Sequence, residues 1–93
     1  MIKEMIISFI YAKDCPDCKE MKETIEQAIE ESVAYNDCAI KAINSDTDEA
    51  IDLAIEYDIT DIPGCVIGNF VFFGKNYQYE DILNAIEETW KNA

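Results

Sequence analysis

Cys15 and Cys18 stand three positions apart in the stretch YAKDCPDCKEM, with Pro16 and Asp17 between them. Two thiols at that spacing can close a disulfide and exchange it with another. They can also supply half of a four-thiolate metal site, or be ordinary thiols near a helix start. The chain has no histidine, and its two other cysteines, Cys38 and Cys65, stand alone. Zinc sites usually draw on two close pairs, which weighs against a site built from all four. Cys38 and Cys65 fall in or at strand-like runs, where a free cysteine commonly serves as a small core residue. Cys65 lies two residues beyond Pro63 and is the one of the two that could approach the close pair.

The elements that position this pair follow from the apolar pattern. Residues 5–11 are continuously apolar apart from Ser8, which predicts a strand buried on both faces. Cys18, Met21, Ile25, Ala28, Ile29 and Val33 recur at helical spacing, so a helix is expected from about Pro16 to Tyr35. Proline is favoured in its first turn. The run CAIKAIN, residues 38–44, alternates like a second strand. A second, shorter helix is expected to follow, with Ala50, Ile51, Ala54 and Ile55 on its apolar face. CVI and FVFF flank Gly68-Asn69, a hairpin signal, and Gly74 ends that hairpin. Ile82, Leu83, Ile86 and Trp90 lay out a closing helix.

The predicted order is βαβαββα. Two strands joined through a helix run parallel with a right-handed crossover, whereas a hairpin is antiparallel. The expected fold is therefore α/β, a four-stranded mixed sheet with helices on both faces. A length of 93 residues predicts one domain over 1–93 with a single core and little to spare. Seven lysines and no arginine face 20 acidic residues, for a formal charge of −13. No basic cluster is present, so neither nucleic acid nor an anionic membrane surface is an expected partner. The longest apolar run is far below membrane-spanning length and lacks a following cleavage site. The expected compartment is the cytoplasm, where a close cysteine pair points to catalysis or metal binding more than to a structural staple.

Between a buried strand and an amphipathic helix, Cys15 sits over the free N–H groups of the opening turn, at the positive end of the helix dipole. Both effects favour the thiolate, which is the nucleophilic form. Cys18, one turn on, is within disulfide reach but deeper. Cys15 then attacks a substrate disulfide and Cys18 resolves the mixed disulfide. Pro16 stiffens the loop and lacks an N–H that would go unsatisfied there. Pro63 opens the next strand, where proline need not donate to a ladder.

With the CxxC between first strand and first helix, Ile62-Pro63 before the hairpin and Gly74 before the last helix, the chain resembles the thioredoxin/glutaredoxin superfamily over almost its whole length. The short form with Cys-Pro-Xaa-Cys looks most like the small glutaredoxin-like thioredoxins. The resemblance implies a cis Ile62-Pro63 bond facing the cysteines. It also implies a substrate strand pairing with the backbone of Ile62, and substrate contacts from Pro16, Asp17 and Pro63. It implies a redox-active Cys15–Cys18 disulfide with no bound cofactor, protein disulfides as substrates, and an external thiol reductant or reductase as electron source. A monomer is expected. Asp14 stands where thioredoxins usually carry tryptophan, and Phe9 falls where they carry a buried acid. The Gly-Gly and acid with which glutaredoxins hold glutathione are not present. Asp14 and Asp17 place negative charge beside the nucleophile, which opposes the dipole, with Lys13 and Lys19 offsetting part of it. A less stabilised thiolate predicts a potential nearer roughly −270 mV than roughly −120 mV. A cysteine-based zinc or iron–sulfur binding protein and a non-catalytic interaction module of the same fold remain the alternative readings.

Overall fold

The computed structural model describes residues 4–92. Lys3, which precedes the first apolar run, lies outside them. The elements are β1 (Met5–Tyr11), α1 (Pro16–Glu31), β2 (Cys38–Asn44), α2 (Asp48–Tyr57), β3 (Gly64–Ile67), β4 (Phe70–Phe73) and α3 (Tyr79–Lys91). This is the predicted order. The sheet runs β2-β1-β3-β4, with β1 and β2 parallel and the other pairs antiparallel.

Alternation along β1 sorts the core into two layers. Met5, Ile7 and Phe9 pack with Met21, Ile25 and Ala28 of α1 and Ile82, Ala85 and Ile86 of α3. Ile10 joins Ile43, Ala50, Ile59 and Val66 on the opposite face, beneath α2. β1 is not buried on both faces throughout, because Ile6 is 55% exposed. The ten residues of α2 cover only the end of the sheet where Ile10 lies.

Two helix expectations are corrected. α1 stops at Glu31 rather than near Tyr35, and Val33 is exposed. Ser32 is extended (φ −92°, ψ 169°), its hydroxyl donates to the Ile29 carbonyl, and its Oγ accepts the Ala34 N–H. A serine offering the backbone these local bonds competes with the next helical turn. On α2 the residues that pack are Ala50, Leu53, Ala54 and Tyr57, whereas Ile51 and Ile55 are 50% and 72% exposed. Thr47 caps this helix, its Oγ accepting the Ala50 N–H at 3.2 Å. Ile67 pairs with Phe70, so Gly68-Asn69 is a two-residue loop, and Gly68 takes φ 59° where glycine meets no Cβ penalty. Among the aromatic residues, Phe72, Tyr77, Tyr79 and Trp90 join the α1/α3 layer and Phe73 the α2 layer. Phe70 is exposed instead.

Candidate functional site

β1 delivers the chain to the cysteines through a short turn. Asp14 there adopts a left-handed conformation, φ 56°, which a short polar residue tolerates best after glycine. This swings Cys15 into the N-cap position of α1 with Pro16 directly inside the helix, so its sulfur accepts the Cys18 N–H at 3.1 Å. The orphan donor of the first turn thus ends on the sulfur, as the sequence predicts. Cys15 and Cys18 form a disulfide with their Cα atoms 5.2 Å apart. Cys18 is 4% exposed and its sulfur accepts the Ala12 N–H at 3.5 Å, whereas Cys15 is part-exposed. An incoming sulfur therefore meets Cys15 first.

The second predicted segment arrives on β3. Gly64 pairs with Ile10, so Pro63 comes in beside the end of β1, where the chain turns toward the cysteines. The Ile62–Pro63 peptide is cis; Pro63 is buried and Ile62 exposed. The Pro63 carbonyl accepts the Gly74 N–H at 2.8 Å. Lys75, the next residue, reaches Asp17 at 3.5 Å. Residues 15–18, 62–63 and 74–75 are linked through these two contacts.

Beside the disulfide lies a groove of about 440 Å³, lined by Phe9, Tyr11, Ala12, Ala42, Asp14, Lys19 and Lys22 together with both cysteines. The Tyr11 ring stacks on Phe9 with centroids 6.2 Å apart. Sequence reasoning missed three parts of this arrangement. Lys22 was legible as the residue four positions after Cys18, hence on the same helix face. The Ala12 amide and Ala42 carry no signal of their own; Ala42 reaches the groove only because it pairs with Phe9 across β1 and β2.

The other two cysteines are free. Cys65 is buried in the α1/α3 layer, and that burial raises its pKa to about 12 despite a hydrogen bond with the Phe72 backbone. Burial likewise raises Cys38 to about 11. Protonated thiols are poor nucleophiles; Cys65 is the core residue expected, whereas Cys38 is half-buried and packs against the edge of that core. Among the described residues, no group of three or more Cys, Asp or Glu is placed to hold a metal ion. No described helix is long and apolar enough to cross a membrane.

The thioredoxin family model matches residues 1–89. No curated protein sequence matches the chain. Among solved structures, the thioredoxin-like protein BC3987 is 26% identical, with a TM-score of 0.60 over 85% of this chain and 97% of its own. Thioredoxin 1 from the thermophilic eubacterium Thermosipho africanus TCF52B is 22% identical, with a TM-score of 0.61 over 95% and 97%. The thioredoxin f2 structure, solved in a complex with ferredoxin:thioredoxin reductase, is also 22% identical, with a TM-score of 0.61 over 96% of this chain and 80% of that one. The last two likenesses speak to the fold alone.

Proposed function

Because the chain belongs to the thioredoxin family, we propose that it is a thiol–disulfide oxidoreductase that reduces protein disulfides through Cys15 and Cys18. The observation that carries this reading is the pair's asymmetry, one sulfur part-exposed and capping a helix, the other buried one turn deeper. The Cys15 thiolate attacks one substrate sulfur, forming a mixed disulfide and expelling the other sulfur as a thiol. The Cys18 thiolate then attacks Cys15, restoring the Cys15–Cys18 disulfide and releasing the second substrate thiol. Two electrons pass to the substrate, and its two thiols take up the two protons that the cysteines gave.

Pro16 and Asp17 border the attacking sulfur, while Ile62 and Pro63 supply a backbone edge on which the substrate strand aligns. No bound cofactor takes part. Electrons return from an external thiol or a reductase, and the thioredoxin f2 complex supports a reductase of some kind as partner. The protein works as a monomer in the cytoplasm, where a reducing poise keeps the pair charged with electrons.

A redox titration of the purified protein, read by thiol alkylation and intact mass, tests this. The expected result is one two-electron couple for Cys15 and Cys18, below the roughly −180 mV of protein disulfide isomerase. Cysteines that never oxidise together, or that bound metal shields from alkylation, would overturn it.

A further inference from the structure

We propose, resting on the oxidoreductase reading, that the preferred protein substrates carry an acidic residue beside the reacting disulfide, received by Lys19 and Lys22. The chain has only seven cationic side chains against 20 acidic ones, and two of them line the groove that also exposes the disulfide. Lys19 and Lys22 are exposed, and neither is in an ion pair among the described residues. One carboxylate, Asp14, lines the groove with them. Asp17 is engaged by Lys75 and is not part of that lining, and Glu26 stands beyond Lys22 in the adjoining depression with Cys38 and Ile40. The groove therefore has two ammonium groups to one carboxylate. Its remaining lining, Phe9, Tyr11, Ala12 and Ala42, is largely apolar.

A net charge of −13 repels an acidic substrate at long range. That repulsion is screened over about 8 Å at physiological ionic strength, whereas a carboxylate seated in the groove lies among walls that both lysines help to form. Near contact, the local charge decides. An acidic residue flanking the substrate cysteine meets the ammonium groups while its sulfur meets Cys15. The apolar walls exclude part of the water that would otherwise weaken the attraction.

The test uses two synthetic peptides with one intramolecular disulfide each, identical except for Glu or Gln beside the cysteine. Reduced protein is mixed with each at 0.15 M ionic strength, and its oxidation is followed by acid quench, alkylation and mass. Rates are divided by those of dithiothreitol with the same peptide, which removes the peptides' own reactivity. Two screened ammonium groups favour the Glu peptide by about fivefold. The preference is expected to vanish in Lys19→Gln/Lys22→Gln, whose exposed helical positions tolerate glutamine; an unchanged far-UV spectrum checks that the variant folds. A Glu preference absent from the wild type, or surviving in the double variant, overturns the charge preference alone. Failure of both peptides to oxidise Cys15–Cys18 removes the oxidoreductase reading and this inference with it.

Discussion

Asp17 puts a negative charge inside the Cys15–Cys18 turn, and Lys75 answers it from 3.5 Å. The two side chains are 46% and 75% exposed, so solvent and salt leave only a small part of their attraction. Its sign still follows. An unanswered carboxylate disfavours the Cys15 thiolate, which destabilises the reduced form and lowers the midpoint potential. Lys75→Gln is expected to lower that potential by about 5–15 mV and Asp17→Asn to raise it by a similar amount, on a scale where 30 mV is about 1.4 kcal/mol. Shifts of the same sign in both variants would contradict the argument. Cys65 gives the second prediction at this scale. Burial keeps its thiol protonated up to about 12, against 9.0 for the free group. Below pH 9 both folded and unfolded chains hold this proton. Above it the unfolded chain releases the proton first, so stability falls as pH rises from 9 toward 12. Urea midpoints of the reduced protein should drop between pH 8 and pH 10, and drop less in Cys65→Ala. An equal drop in both would show that other groups carry the effect.

Helix ends decide where the elements stop, and they are also where sequence reasoning erred. The strands, the hairpin at Gly68-Asn69 and the cysteine turn were legible, because apolar runs, turn residues and a proline at the helix start are local signals. Ser32 was not. Its side chain ends α1 by bonds to Ile29 and from Ala34 that helical periodicity does not register. On α2 the error was one of rotation: Ile51 and Ile55 are the more apolar residues, yet the sheet takes Ala50, Leu53, Ala54 and Tyr57. Periodicity cannot tell which of two adjacent apolar stripes faces the sheet. Thr47 holds this helix at its start. Thr47→Ala is expected to cost about 1 kcal/mol in urea unfolding, and Thr47→Ser a small fraction of that. Equal losses in the two would assign the effect to the missing methyl group rather than to the cap.

For the molecule as a whole, charge outweighs pairing. The described residues form two ion pairs, Lys41–Glu49 and Lys75–Asp17, both exposed, in a chain of net charge −13. Salt weakens exposed pairs worth about 0–1 kcal/mol each, but it also screens the self-repulsion of the compact state, which is the larger quantity here. Raising sodium chloride from 10 to 500 mM should therefore raise the melting temperature, read by far-UV circular dichroism; a fall would mean that the ion pairs dominate. The site shows the same dependence on the whole. Its cysteine turn could be read from four consecutive residues, but the groove needs β2 to bring Ala42 beside Phe9, and the Asp17 contact needs Lys75, 58 positions further on. The bond from the Gly74 N–H to the Pro63 carbonyl joins the entry of β3 to the exit of β4, next to the end of β1. No piece of the chain can then carry the site by itself, and the site has no melting point of its own. Heat should abolish disulfide exchange at the temperature where the sheet comes apart, and a peptide spanning only the first strand and helix should keep its cysteines while losing their difference in reactivity.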